Sequence, residues 1–225
     1  MDKKMILWAI AFLLIAVSIV AVVFYAPEEM TMGIVQKIFY FHVASAWIGF
    51  MAFGIVFVLS ILFLWKKDIE FDLWAASAAE IGVVFTSLVL ITGPFWAKPV
   101  WNTWWTWDPR LTTTLILWLI YLGYLLLRQM IDSEEKAARI SAVFGIIGFL
   151  DVPVVYMSIR WWRTMHPAHV MIMGGKNSGL HPKIFQTLML SLIAFTFFFF
   201  TILLLRVGLE KMKVEIEHLK KQLQY

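Results

Sequence analysis

The feature that most constrains this chain is a series of six apolar runs, each long enough to cross a lipid bilayer. A spanning helix needs about 20 apolar residues, because the hydrocarbon core of a bilayer is about 30 Å thick. Hydrophobic residues make up 61% of the 225 residues and charged residues only 15%, which excludes an ordinary soluble domain. The sequence therefore predicts an all-α integral membrane protein in direct contact with the lipid bilayer. The six predicted transmembrane helices are residues 5–25, 38–65, 74–92, 111–127, 140–157 and 184–205.

The distribution of basic residues predicts how these spans are oriented. Loops on the cytoplasmic side of a membrane are enriched in Lys and Arg. Twelve of the nineteen basic residues fall at the set of span ends that includes both termini, and seven fall at the other set. We therefore expect both termini to be cytoplasmic, in a cytoplasmic membrane, and we expect the first run to stay as an anchor. The net charge of +4 fits this orientation and does not indicate a nucleic-acid partner.

The connection between the third and fourth spans, residues 94–112, holds five of the twelve tryptophans. Pro94, Pro99 and Pro109 would each interrupt helical hydrogen bonding, and polar residues alternate with the rings. We predict an irregular or partly helical outer loop whose wide flat faces suit a large planar ligand. The alternative is an aromatic belt, because tryptophan is enriched at membrane interfaces. Five rings in one loop favour the ligand surface.

Two histidines on different outer segments are candidate ligands for a haem iron. His42 lies near the outer end of the second span, and His166 lies in the connection after the fifth span. Histidine is a common axial ligand of haem iron, and two imidazoles could bind it from opposite faces. His169 and His181 lie in the same connection, and spacing does not choose among the three. An ordinary interfacial histidine is the alternative for each.

Charged residues add to this hypothesis. Arg110 lies within the tryptophan-rich connection, and its guanidinium suits a haem propionate. Glu80 and Asp151 lie inside predicted spans, where an ionisable side chain is costly without a partner. We expect Glu80 to reach the nearby cytoplasmic surface, and Asp151 to face the ligand cavity or pair with an outer arginine. The sequence contains no cysteine, which excludes thiol redox chemistry and a Cys-x-x-Cys-His haem attachment site.

The last residues of the chain differ in kind from the spans. Leu209, Met212, Ile216 and Leu219 recur at steps of three and four residues, which predicts a helix with one apolar stripe. The predicted organisation is a six-helix membrane domain over residues 1–207 and a cytoplasmic amphipathic tail over residues 208–225. The stripe suits the inner leaflet of the membrane or a partner helix, and we favour the partner helix.

The string WNTWWTWDPRLT, residues 101–112, resembles the tryptophan-rich signature of the haem-handling membrane proteins of cytochrome c biogenesis. With six spans, a length near 225 residues and two suitably placed histidines, residues 1–207 resemble the haem exporter protein C family. The resemblance implies that His42 and His166 are the axial ligands of a haem b. It also implies that the haem contacts the residues Trp101, Trp104, Trp105, Trp107 and Asp108.

The resemblance further implies a function. Family members hold haem without a covalent bond at the outer membrane surface and present it for loading onto a membrane-anchored haem chaperone. They do so with an ABC transporter and a small membrane subunit. We expect no catalytic residue in this chain, although assistance with covalent attachment of haem to the chaperone stays open. The alternatives are a bis-histidine electron-transfer subunit, a synthase component of the other cytochrome c pathway, and a permease component with a plain aromatic belt.

Overall fold

A computed structural model of the chain describes residues 3–30, 32–166 and 180–223. The described residues form helices and contain no β-strand. A π-helical turn, Ala21–Tyr25, extends the first helix, and a 3-10 turn, Ile34–Lys37, precedes the second. In chain order the helices are α1 (Lys3–Val20), α2 (Ile38–Lys66), α3 (Ile69–Trp101), α4 (Pro109–Met130), α5 (Glu134–Phe149), α6 (Asp151–Trp161) and α7 (Pro182–Leu223).

Six helical segments are long and apolar enough to cross a membrane, as the sequence predicts. The fifth of them consists of α5 and α6 together. The all-α class and the six spans are thus confirmed for the part of the chain that the structure describes. The segments are Lys4–Tyr25, Ile34–Lys66, Ile69–Trp101, Pro109–Met130, Glu134–Trp161 and Pro182–Ile216.

The third helix is longer than the sequence predicts. It continues through Pro94 and Pro99 to Trp101, so the expectation that these prolines interrupt it is wrong, and only residues 102–108 are irregular. A proline inside a helix removes one N–H donor and crowds the carbonyl four residues earlier. Neighbouring helices offset this cost in membrane proteins. The helix ends where Asn102 adopts a left-handed conformation (φ 54°), which asparagine tolerates better than most residues.

The centre of the bundle is the packing of α2 against α3. A Cβ added at Gly82 would lie 2.5 Å from the Phe53 ring, and one at Gly49 would lie 2.8 Å from Thr86 Oγ1. Small residues let membrane helices approach this closely, and dispersion contacts then stabilise the pair. Phe53 also stacks on Tyr121 of α4, with ring centroids 3.6 Å apart, which extends the core to a third helix.

The fifth span is broken where α5 ends at Phe149 and α6 begins at Asp151. Asp151 lies in the first turn of α6, where the helix dipole stabilises a negative charge. Its Oδ2 atom is buried and finds no hydrogen-bond partner among the described residues. The expected pairing of Asp151 with an outer arginine is therefore not found in this part of the chain.

Ion pairs hold one end of the bundle together. Asp72 of α3 accepts two hydrogen bonds from Arg128 of α4, at 2.6 and 2.7 Å, and its side chain is only 4% exposed. Glu80 accepts from Arg206 of α7 at 2.8 Å, so it pairs with a neighbouring helix. Its side chain is 37% exposed, and its reach to the cytoplasmic surface stays a prediction. We name this region the ion-pair end, defined by the pairs Asp72–Arg128, Glu80–Arg206 and Glu70–Lys211.

The last helix, α7, is unbroken over 42 residues. At 1.5 Å per residue it is about 63 Å long, twice the thickness of a hydrocarbon core. The predicted tail therefore continues the sixth span as one helix, and its apolar stripe is about half exposed. Whether that stripe meets a partner helix or the inner leaflet stays a prediction.

The first helix, α1, packs mainly against this last helix. Ser18 of α1 and Ser191 of α7 share a buried hydrogen bond, with their Oγ atoms 2.9 Å apart. Trp8 and Phe198 meet edge to face, with ring centroids 6.4 Å apart. The first and last helices that the structure describes thus pack side by side.

Candidate functional site

The end of the bundle opposite the ion pairs gathers the predicted site residues. His42 lies in the second turn of α2, Trp101 closes α3, Arg110 lies in the first turn of α4, and His166 follows α6. We name this region the tryptophan end, and it includes the connection 102–108. Four separate elements therefore contribute to one place.

Trp96 contacts both predicted iron ligands. Its ring centroid lies 6.4 Å from that of His42 and 6.5 Å from that of His166, where the two rings meet edge to face. The two imidazoles are thus no further apart than the sum of these distances, although more than half of the chain separates them in sequence. The structure places the predicted ligand pair in a single site.

The indole of Trp96 also carries an unsatisfied donor. The residue is 8% exposed, and its Nε1 atom is buried with no hydrogen-bond partner in the described part of the chain. Most buried donors find an acceptor, and this N–H is one of nine buried side-chain atoms without a partner among the described residues, so it is available to a ligand atom. Sequence reasoning counted this tryptophan in the aromatic stretch without choosing it as a site residue. Its position one helical turn after Gly93, beside His42, is visible only in the fold.

The remaining tryptophans do not form one flat platform. Trp104 is 54% exposed and meets Phe95 of α3 edge to face, while Trp107 is 76% exposed and meets Trp105 in the same way. Trp101 is partly buried at the end of α3. Edge-to-face packing leaves indole faces uncovered on the outside of the loop. The structure thus offers several separate aromatic faces in place of the predicted continuous surface.

Asp108 joins the tryptophan loop to the segment that carries His166. Its Oδ1 atom accepts from the backbone N–H of Arg110 at 2.9 Å, which caps α4, and from Thr164 Oγ1 at 2.7 Å. Its Oδ2 atom accepts from the backbone N–H of Met165 at 2.9 Å. Both carboxylate oxygens therefore bind protein donors. In this arrangement Asp108 positions the residue before His166, and it offers little to a ligand.

Arg110 joins α4 to α6. Its Nη1 atom donates to the carbonyl oxygens of Val155 and Tyr156, at 2.8 and 3.2 Å. Within the described residues these bonds use one guanidinium nitrogen, and a guanidinium has five N–H donors in a fixed fork. The remaining donors suit the propionate that the sequence analysis assigned to Arg110.

The other two histidines of the connection differ from His166. His169 lies outside the described residues. His181 is exposed, and its Nδ1 atom accepts from the backbone N–H of Lys183 at 3.3 Å at the start of α7. His166 is partly buried beside Trp96, and its backbone N–H donates to Thr164 Oγ1 at 3.0 Å. Of the histidines described in this connection, His166 is the one packed against the site.

The hydrogen-bond partner of His42 comes from α3. Its Nδ1 atom lies 2.9 Å from Thr92 Oγ1, and a Cβ added at Gly93 would lie 3.5 Å from its Cε1 atom. Nothing in the sequence distinguishes Thr92 from other hydroxyl residues in apolar runs. Sequence reasoning therefore missed this residue.

Comparisons with known proteins identify the family of this chain. The sequence matches the family model described as heme exporter protein C over residues 2–222. It is 40% identical to heme exporter protein C of Bradyrhizobium diazoefficiens over 179 residues, which cover 79% of this chain and 67% of the relative. It is 35% identical to the protein of that name from Rhodobacter capsulatus over 188 residues, covering 83% and 77%. A putative cytochrome c biosynthesis ccmC-like mitochondrial protein of Marchantia polymorpha is 36% identical over 197 residues, covering 87% and 82%. Because the family model spans nearly the whole sequence, the chain belongs to the haem exporter protein C family.

Proposed function

We propose that this chain binds haem b at the tryptophan end and presents it for loading onto a membrane-anchored haem chaperone during cytochrome c maturation. Membership of the haem exporter protein C family implies haem handling in cytochrome c biogenesis, and six spans make the chain a multi-pass membrane protein. One observation carries the site assignment: His42 and His166 both contact Trp96. In this proposal haem is cargo and is not a resident cofactor.

Each residue of the site has a distinct part in this proposal. His42 and His166 supply the two imidazoles for the iron. The unsatisfied N–H of Trp96 and the remaining donors of Arg110 suit the carboxylates of the propionates. Asp108 holds the segment before His166. These donors match the chemistry of haem, which combines a metal that binds nitrogen with two anionic groups and a large apolar ring.

Release of haem to a chaperone requires that one edge of the bound haem is accessible. Trp104 and Trp107 are the exposed rings of the loop, so they lie where an incoming protein can reach the cargo. We assign this approach to the chaperone and propose that the ABC transporter and a small membrane subunit assemble with the spans. The chain contributes binding and orientation, and no residue in this proposal makes or breaks a covalent bond.

The orientation of the bundle follows from the charge distribution and has its own test. We propose that the tryptophan end faces outward and the ion-pair end faces the cytoplasm, since twelve of the nineteen basic residues lie on the ion-pair side. The chain contains no cysteine, so a single introduced thiol reports its own side. A membrane-impermeant maleimide should label Val100→Cys in intact cells and Lys213→Cys only after lysis. The reverse pattern would overturn the orientation.

The haem assignment is tested by absorption spectra of the purified protein, oxidised and reduced, beside His42→Ala and His166→Ala. We expect a six-coordinate low-spin haem in the wild type and an altered or lost haem in both variants. His181→Ala is the matched control and should keep the wild-type spectrum. If the wild type made with ample haem carries no chromophore, the proposed function is wrong. If both ligand variants keep the wild-type spectrum and content, the ligand assignment is wrong.

A further inference from the structure

We infer that Thr92 is a positioning residue that fixes the tautomer of His42, so that the Nε2 atom of this imidazole presents its lone pair to the ligand. The inference rests on the proposed function for the identity of that ligand. Its physical basis is a series of hydrogen bonds between α2 and α3.

The hydrogen-bond series consists of two short contacts at one oxygen atom, Thr92 Oγ1. Thr92 Oγ1 lies 2.9 Å from His42 Nδ1 and 2.7 Å from the carbonyl oxygen of Leu88, one turn earlier in α3. Both distances are ordinary for hydrogen bonds. The threonine side chain thus bridges a backbone carbonyl of its own helix and an imidazole of the neighbouring helix.

The number of protons available to these hydrogen bonds determines the tautomer of His42. A hydroxyl group has one proton, and a carbonyl oxygen can only accept. The contact with Leu88 therefore takes the hydroxyl proton, and Thr92 Oγ1 turns a lone pair toward His42. Nδ1 must then carry a proton, since otherwise two lone pairs would face each other at 2.9 Å. In a neutral imidazole with a protonated Nδ1, the Nε2 atom is the free acceptor and the available metal ligand.

The surrounding backbone orients the same ring. Cε1 lies between the two nitrogens of an imidazole, and in His42 it would lie 3.5 Å from a Cβ added at Gly93, the residue after Thr92. The side of the ring formed by Nδ1 and Cε1 therefore faces α3, with Nδ1 fixed on Thr92. Trp96, one turn further along α3, contacts the same imidazole. The hydrogen bond thus sets the direction of the lone pair within the site that also contains His166.

This geometry predicts a defined effect of the hydroxyl. Hydrogen-bonding partners on the far nitrogen of a ligating histidine raise its basicity, and their removal typically lowers metal affinity by about 10–100-fold. We expect Thr92→Val, which keeps the shape and removes the acceptor, to weaken haemin binding by at least about 10-fold. A less basic imidazole should also shift the reduction potential of the bound haem to a more positive value. Thr92→Ser keeps the hydroxyl and should behave as wild type.

The experiment compares four forms of the full chain in detergent: wild type, Thr92→Val, Thr92→Ser and Thr201→Val. Thr201 is the matched control, because its hydroxyl makes the same bond to a carbonyl one turn earlier, that of Phe197. Each form is titrated with haemin, and its reduction potential is measured. The inference holds if only Thr92→Val loses affinity and shifts the potential. It fails if Thr92→Val binds as wild type does, or if Thr92→Ser is equally impaired.

A second measurement needs no haem and separates this inference from the proposed function. Long-range ¹H–¹⁵N correlation spectra of histidine-labelled protein report which nitrogen carries the proton, with His42→Ala providing the assignment. We expect the Nδ1–H form in the wild type and in Thr92→Ser, and loss of this preference in Thr92→Val. If the wild type binds no haemin but shows this pattern, the proposed function fails and the positioning role stands. An Nε2–H form in the wild type would overturn the positioning role.

Discussion

The ion-pair end and the tryptophan end of this bundle satisfy their polar groups in opposite ways. At the ion-pair end, the nearly buried carboxylate of Asp72 is matched by a guanidinium with two hydrogen bonds. At the tryptophan end, the buried N–H of Trp96 meets no acceptor among the described residues, and Trp107 is 76% exposed. At the ion-pair end a buried charge is matched within the protein, whereas at the tryptophan end a buried donor beside both candidate histidines has capacity for a ligand atom. The comparison distinguishes a carboxylate that stabilises the fold from an indole N–H that is free to bind a ligand atom.

The largest change in stability should come from breaking the most buried pair. Asp72→Asn leaves the charge of Arg128 without a counter-charge, and such a loss costs about 3–5 kcal/mol for fully buried pairs. Because the side chain of Arg128 is 21% exposed, we expect about 3 kcal/mol, measured by unfolding in detergent. Haem content per folded molecule should stay at the wild-type level. A double variant with Arg128→Met should recover most of the stability, and an unchanged stability of the single variant would contradict the assignment.

Asp108→Asn, the equivalent substitution at the tryptophan end, should lower haem affinity more than it lowers the free energy of unfolding. In Asp108→Asn an amide NH₂ replaces one carboxylate oxygen, so either Met165 or the Thr164 and Arg110 pair of donors loses its acceptor. The segment before His166 is then less firmly placed, and we expect haem affinity to fall by about 10–100-fold. Haemin titration measures this change.

The control for this prediction lies on the other side of the same hydrogen bond. Thr164→Ser keeps the hydroxyl that donates to Asp108 and should retain wild-type affinity, whereas Thr164→Val should lose part of it. If Asp108→Asn lost stability by as much as Asp72→Asn but kept its haem affinity, the contrast between the two ends would be wrong.

A pair of Trp→Phe substitutions tests the unsatisfied donor directly. The indole N–H of Trp118 donates to Ser87 Oγ at 2.8 Å, so Trp118→Phe should lose about 1 kcal/mol of stability. Trp96→Phe removes a buried donor that has no acceptor, so the haem-free protein should lose less, or gain up to about 1 kcal/mol. Haem affinity should fall in Trp96→Phe and stay constant in Trp118→Phe. Equal losses of stability in the two variants would show that the Trp96 donor is satisfied.

The smallest change in stability should come from breaking the exposed ion pair at the ion-pair end. Glu70 and Lys211 are about half exposed, and such pairs contribute about 0.5 kcal/mol or less. Glu70→Gln should therefore unfold almost as the wild type does, with any difference vanishing at high salt. A loss near that of Asp72→Asn would mean that the whole network, and not the buried pair, holds this end.

The spans could be predicted because the bilayer sets the length of an apolar helix that crosses it. A run of the length of 184–205 therefore predicts one transmembrane helix. The continuation of α3 through Pro94 and Pro99 could not. The local cost of a proline is visible in the sequence, but the helices that offset this cost are brought alongside only by the fold. The sequence thus predicts the number of spans better than the places where they end.

The candidate site shows the same limit. Residue type and position made His42 a candidate but left His166, His169 and His181 open. The family resemblance selected His166, and the fold packs His42 and His166 against Trp96. The hydrogen bonds of Asp108 join residues 56 and 57 positions apart, so no local pattern reveals them. Thr92 was missed for a different reason. A hydroxyl that bonds to its own helix is common in apolar runs, and only the neighbouring imidazole gives it a role.

The packing of α1 against α7 has a consequence for the order of events during synthesis. The Ser18–Ser191 bond spans 173 positions of sequence, and ribosomes add about 5–20 residues per second. The first span therefore waits roughly 10–35 s in lipid before its main partner has been made. Over that interval α1 lies in the membrane without the helix against which it mainly packs.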